Sequence, residues 1–73
     1  MPQVEINAIY KHYKGGLYRV IGIAKYSKTL EDLVIYEAIY DNPVSKLWAR
    51  PVNMFTGKVV VDGKEVERFT KQD

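Results

Sequence analysis

A chain of 73 residues is too short for two domains, because domains of ordinary size run to about 100 to 150 residues, so residues 1–73 form a single unit. Hydrophobic residues at 47% and charged residues at 27% exclude a disordered tail. Eleven Lys and Arg against nine Asp and Glu leave a net charge of only +2, and the two signs alternate along the chain as on an ordinary solvated surface. With no cysteine there is neither a disulfide framework nor a thiolate metal site, and the expected address is the cytoplasm.

Area scaling gives about 12,000 Å² for the unfolded chain and about 4,600 Å² for the folded one. Burial on that scale supplies on the order of 110 kcal/mol, and ordering the chain costs on the order of 110 kcal/mol. Stability therefore falls to a few large side chains, and six Tyr, two Phe and one Trp are the suppliers.

The segment Met1 to Ile9 carries Glu5 and lacks both a cationic start and a long apolar run, so it does not read as a signal peptide. Nowhere does the chain reach the roughly 18 consecutive apolar residues of a membrane span. Gly15-Gly16 lacks the spacing of a phosphate loop and leads into a strand, so it reads as a turn. Leu17 to Lys25 (LYRVIGIAK) is rich in β-branched residues and too short for a helix, which predicts a strand. Gly22 in its middle predicts a bulge or bend where another backbone comes close. Ser27 to Asp32 reads as a turn in which Thr29 accepts from the amide of Glu31 or Asp32.

Leu33 to Tyr40 (LVIYEAIY) is the second expected strand, with Leu33, Ile35, Glu37 and Ile39 on one face and Val34, Tyr36, Ala38 and Tyr40 on the other. Glu37 marks the face nearer water. Asp41-Asn42-Pro43 ends it, because Pro43 cannot donate to a ladder. Leu47 to Arg50 is a short third strand closed by Pro51, and Val52, Met54 and Phe55 are expected to fold back and plug one end of the core. Lys58 to Val61, Asp62-Gly63 and Lys64 to Phe69 form a two-residue hairpin, since Gly63 accepts the positive φ of a type I′ turn. Its register sets Val59 against Val66 and Lys58 against Glu67, with Val59, Val61 and Val66 expected on the core face.

The combination Tyr13-Lys14-Gly15, Tyr18, Val20, Thr29-Leu30-Glu31, Val34, Tyr36, Tyr40, Trp48, Arg50-Pro51, Met54-Phe55, Gly63 and Arg68-Phe69 resembles a small bacterial family catalogued as domain of unknown function 1653, or DUF1653. The likeness runs from about Tyr10 to Phe69. It implies an SH3-like small β-barrel with no assigned activity. Where many relatives carry His-Ser-Glu-Thr after the first strand, this chain has Tyr26-Ser27-Lys28-Thr29. The expected architecture is thus a single all-β domain, a five-stranded antiparallel SH3-like barrel with a short turn or 3₁₀ segment at Pro51 to Phe55.

Catalytic machinery is sparse. His12 is the single histidine, Ser27 and Ser45 lie in turns, and Glu31-Asp32, Glu65 and Glu67 read as surface charges, so no catalytic residue, metal ligand set or cofactor is assigned. The cluster of interest is aromatic and basic: His12, Tyr13, Lys14, Tyr18, Tyr36, Tyr40, Trp48 and Arg50. Such rings either fill the core and lid its ends, or line a shallow groove between the loop after Tyr10 and the turn at Asp41 to Lys46. In the second case His12, Tyr13, Lys14, Tyr36, Trp48 and Arg50 contact a peptide or a nucleic acid. Arg50 is also expected to pair with Glu31 and orient the turn against the barrel. The leading expectation is a non-catalytic binding module. One alternative is a small enzyme using His12 with Glu31 or Tyr13 as acid and base; the other is a structural protein, monomer or weak homodimer, that pairs through an edge strand.

Overall fold

The computed structural model describes residues 4–72, so the reading of the leader segment lies outside the described residues at Met1, Pro2 and Gln3. In chain order the elements are β1 (Ile9–His12), β2 (Leu17–Lys25), β3 (Asp32–Ala38), β4 (Leu47–Pro51), α1 (Val52–Phe55), β5 (Lys58–Val61), β6 (Lys64–Glu67) and β7 (Phe69–Lys71). They form one antiparallel sheet of five strands in the order β4-β3-β2-β1-β7, and a separate two-stranded sheet of β5 and β6.

β2 has the predicted bounds, and its pairing with β3 slips between Val20 and Gly22, which is the bulge that Gly22 announced. The expected close approach of another backbone is not what requires the glycine: a Cβ at Gly22 would meet nothing within 4 Å. The glycine serves the bend alone. β3 alternates as expected as far as Ala38, with Val34, Tyr36 and Ala38 buried and Leu33, Ile35 and Glu37 half-buried on the opposite face, but it ends there: Ile39 and Tyr40, expected within the strand, lie beyond it in a bend and are exposed. Across the next ladder Tyr36 faces Trp48 and Val34 faces Arg50, so the two β4 side chains stand on the core face of the sheet.

Two corrections concern the barrel. The expected sheet took in both hairpin strands, whereas β5 and β6 pair only with each other, and the five-stranded sheet ends at β4 and β7 without closing. What completes it instead are β1 and β7, short strands flanking the sequence patterns that were legible. The run Lys64 to Phe69 is also not one strand. It breaks at Arg68, whose amide donates to Gly57 O, and resumes as β7 beside β1. The hairpin keeps its predicted register and turn, with Asp62 at φ 52° and Gly63 at φ 78°, as type I′ requires. Its valine face is not core, however: Val61 and Val66 are each 38% exposed. Four-residue strands joined only to each other have little core to cover. The hairpin stands out from the sheet, and the accessible surface of 5356 Å² exceeds the roughly 4,600 Å² that scaling assigns to a chain of this mass.

Inside the curved sheet lie Tyr10, Val20, Val34, Tyr36, Phe55 and Phe69. α1 is a single α-turn, led in by Pro51 and closed by the Thr56 amide and hydroxyl, which both donate to Val52 O at 2.9 Å. It acts as the expected plug through Phe55, 1% exposed, while Met54 points outward. Tyr36 and Tyr10 meet Phe55 edge-on at centroid distances of 5.4 and 5.3 Å, a geometry that sets ring edges against ring faces.

Candidate functional site

At one end of the core face is an open groove of about 390 Å³. One wall comes from the β1–β2 connection. There Gly15, at φ 109°, lets its amide return to His12 O at 2.7 Å, while the His12 amide donates to Gly16 O at 2.7 Å, so Tyr13 and Lys14 are held at the tip. The facing wall is the turn after β3. Asn42 Oδ1 accepts from the amides of Val44 and Ser45, at 2.9 and 3.4 Å, and Trp48 Nε1 donates to Ser45 O at 3.0 Å. The floor is Tyr18, Tyr36 and Phe69.

Cations converge on this groove. Arg50 Nε donates to Tyr36 Oη at 3.4 Å, and the guanidinium lies 6.0 Å from the Phe69 centroid. Arg68 Nε donates to Met54 O at 3.1 Å, and Lys14 Nζ stands 5.8 Å from the Tyr13 ring centre. Both arginines thus spend Nε on the protein, and among the described residues their terminal nitrogens have no protein acceptor. Among the described residues no Asp or Glu lines the groove. Of the cations elsewhere, Arg19 and Lys46 pair with Glu37, Lys25 with Asp32, and Lys71 with Glu5.

His12 Nδ1 accepts the Lys14 amide at 3.1 Å, which places the proton of the neutral ring on Nε2. The ring lies 4.5 Å from Tyr13 and 5.0 Å from Phe69. Burial holds its pKa below the usual 6.5, and the positive charges of Arg50, Arg68 and Lys14 depress it further. Beside it, Tyr18 Oη and Tyr40 Oη are 2.6 Å apart, and Asn42 Nδ2 donates to Tyr40 Oη. Burial, then the bond to Tyr40, pushes the Tyr18 hydroxyl up to about 12.

The structure places His12, Tyr13, Lys14, Tyr36, Trp48 and Arg50 around this one groove. It does not form the expected pair of Glu31 with Arg50. Among the described residues no ion pair joins them: Glu31 is exposed in the turn, where its amide donates to Thr29 Oγ1 at 3.3 Å, and Arg50 turns to Tyr36 instead. The turn at Asp41 to Lys46, expected as one side of the groove, supplies Asn42 and Val44; sequence reasoning missed Arg68 and Phe69 as lining residues. The Arg68-Phe69 dipeptide stood in the family pattern, which by itself does not indicate a groove. Among the described residues no group of three or more His, Cys, Asp or Glu is placed to hold a metal ion, and no helix is long and apolar enough to cross a membrane.

Residues 8–71 match the family described as protein of unknown function, DUF1653. The chain belongs to this family. A crystal structure of a DUF1653 protein from Bordetella bronchiseptica is similar at 26% identity with a TM-score of 0.81, covering 94% of this chain and 88% of that one. No curated protein matches the chain. DUF1653 membership thus fixes a shared fold, and the chemistry has to come from the groove itself.

Proposed function

We propose that this DUF1653 protein is a non-catalytic binding module whose groove takes an anionic segment of a peptide or a nucleic acid. The observation that carries the reading is the meeting of Lys14, Arg50 and Arg68 at an aromatic-walled groove that, among the described residues, has no carboxylate. Elsewhere ion pairing spends several of the positive charges; here charge and free guanidinium donors face solvent. The bent antiparallel sheet with a plug at one end supports an SH3-like architecture, the cysteine-free composition supports a cytoplasmic setting, and the Bordetella relative supports a bacterial one.

The acid–base alternative has less support, because Glu31 is remote from the groove and His12 has arginines, not a carboxylate, for company. Pairing through an edge strand rests on the unpaired sides of β4 and β7, and sedimentation at micromolar concentration tests it. The groove is tested by following backbone amide resonances while peptide and oligonucleotide pools are added. Shifts are expected at Tyr13, Lys14, Trp48 and Arg50, and their loss in Arg50→Gln. Shifts confined to other surfaces, or none with either pool, defeat the reading.

A further inference from the structure

The nature of the anion can be taken further, and this step rests on the binding reading above. We propose that the groove accepts one phosphate joined to one flat ring: a single nucleotide, either free or as the phosphorylated end of a strand.

Charge sets the first limit. Three cations, two of them guanidinium forks with unused terminal nitrogens, suit a phosphate dianion better than the single charge of a carboxylate. The neutral His12 ring adds an Nε2 proton as a further donor at the same wall. Surface chemistry sets the second. Tyr13 is exposed and Trp48 half-buried, so each offers ring surface on opposite walls, and bases stack on such rings whatever their sequence.

The third limit comes from what flanks the groove. Beyond Asn42 lies a depression lined by Glu37 and Asp41, and beyond Phe69 lies another lined by Glu5 and Glu67. The lysines in them, Lys46 and Lys71, are held by Glu37 and Glu5. With those pairs made, Asp41 on one side and Glu67 on the other leave each depression a net negative charge, which repels a phosphate backbone leaving the groove. A track for single strands needs the opposite, a continuous positive path. The groove volume of about 390 Å³ falls at the small end of the range for ligand sites, as one nucleotide requires.

Trp48 is the chain's single tryptophan, so its fluorescence reports the groove directly. The experiment titrates the full chain with a nucleoside 5′-monophosphate, its nucleoside, and single strands of about ten nucleotides with and without a 5′-phosphate. The monophosphate is expected to bind at least about tenfold tighter than the nucleoside, and the phosphorylated strand at least about tenfold tighter than the unphosphorylated one. A shallow salt slope near −0.7 is expected, the value for about one phosphate contact on a single strand. Equal binding of monophosphate and phosphorylated strand identifies the free nucleotide as sufficient; preference for the phosphorylated strand identifies a strand end. Lys14→Gln, an exposed change that leaves packing alone, is expected to weaken either ligand several-fold. Equal affinity for the two strands with a steep salt slope overturns the single-nucleotide site. A peptide that shifts groove resonances while no nucleotide does so overturns it too, yet leaves the binding module standing. Failure of every ligand removes both.

Discussion

Phe55 and Phe69 lie face to face, with ring centroids 4.0 Å apart and 9° between their planes, although one comes from α1 and the other from β7. Every other ring contact in the core is edge-on or tilted, so this stack is where the plug and the last strand are joined. Phe55 is 1% exposed, and truncating a buried Phe typically costs about 3 to 5 kcal/mol. Phe55→Ala is expected to lower the melting midpoint by more than about 10 °C, since about 1 kcal/mol moves a domain of this size by 4 to 8 °C. Phe55→Leu keeps most of the volume and should lose less. Thermal denaturation followed by circular dichroism checks both, and an unmoved midpoint for Phe55→Ala places the core elsewhere.

Gly63 supplies the second positive φ of the β5–β6 turn, at 78°, and a β-branched side chain pays roughly 1 to 2 kcal/mol in that region. Because the hairpin pairs only with itself, the effect of Gly63→Val should be concentrated there. Amide exchange is expected to accelerate across Lys58 to Glu67 by about tenfold or more while β2 and β3 keep their protection. Uniform acceleration through the main sheet contradicts the separate standing of the hairpin.

These two regions show how far the sequence could be read. β2, β3, β4 and the hairpin register were legible because each obeys a local rule: β-branched density, alternation, or a turn glycine. β1 and β7 were not, because IYKH and FTK are too short to show a period, and both become strands only by pairing with each other and with β2. Val61 and Val66 misled for a related reason: alternation shows that a face is apolar, not that anything covers it. At the site, aromatic and basic clustering singled out six residues that line one groove. Arg68 escaped because what brings it there is tertiary: the break between β6 and β7. Glu31 misled because a carboxylate three positions before Val34, the partner of Arg50, is near in sequence terms yet faces solvent in a turn where Leu30 takes φ 61°.

Tyr40 holds the hydroxyl of Tyr18 at 2.6 Å, beside the groove, and shares responsibility with burial for a pKa near 12. Tyr40→Phe removes that bond and is expected to bring Tyr18 back toward the ordinary value of 10, as followed by ultraviolet absorbance. The sign for stability follows from linkage. Between pH 10 and about 12 the native state keeps a proton that the unfolded chain has lost, so this contribution is whole below pH 10 and declines as the pH rises through the window. Gly16→Ala should act on the same ring from beneath, because its Cβ would lie 2.9 Å from Tyr40 Cε1. A Tyr18 titration unchanged in Tyr40→Phe would show that burial alone sets the value.

His12 is the groove's own reporter of charge. Burial, then Arg50, Arg68 and Lys14, lower its pKa below 6.5, so on acidification the unfolded chain takes up the proton first. The stability tied to the neutral ring is complete above pH 6.5 and is lost as the pH falls below it, a dependence that His12→Gln should remove. Tyr18 titrates far above this range, and among the described residues no carboxylate lines the groove to complicate the titration. An anion held by the two arginines offsets their repulsion of the imidazolium, so His12 should titrate at a higher pH when the groove is occupied. Sulfate serves as the probe because its charge is constant over this range. The His12 ring resonances are expected to report a pKa below 6.5 in chloride and an upward shift in sulfate at matched ionic strength. In Arg50→Gln the chloride value should rise and the sulfate response shrink. An identical titration in both salts would mean that sulfate does not settle beside the imidazole, and that these cations do not act together on one anion.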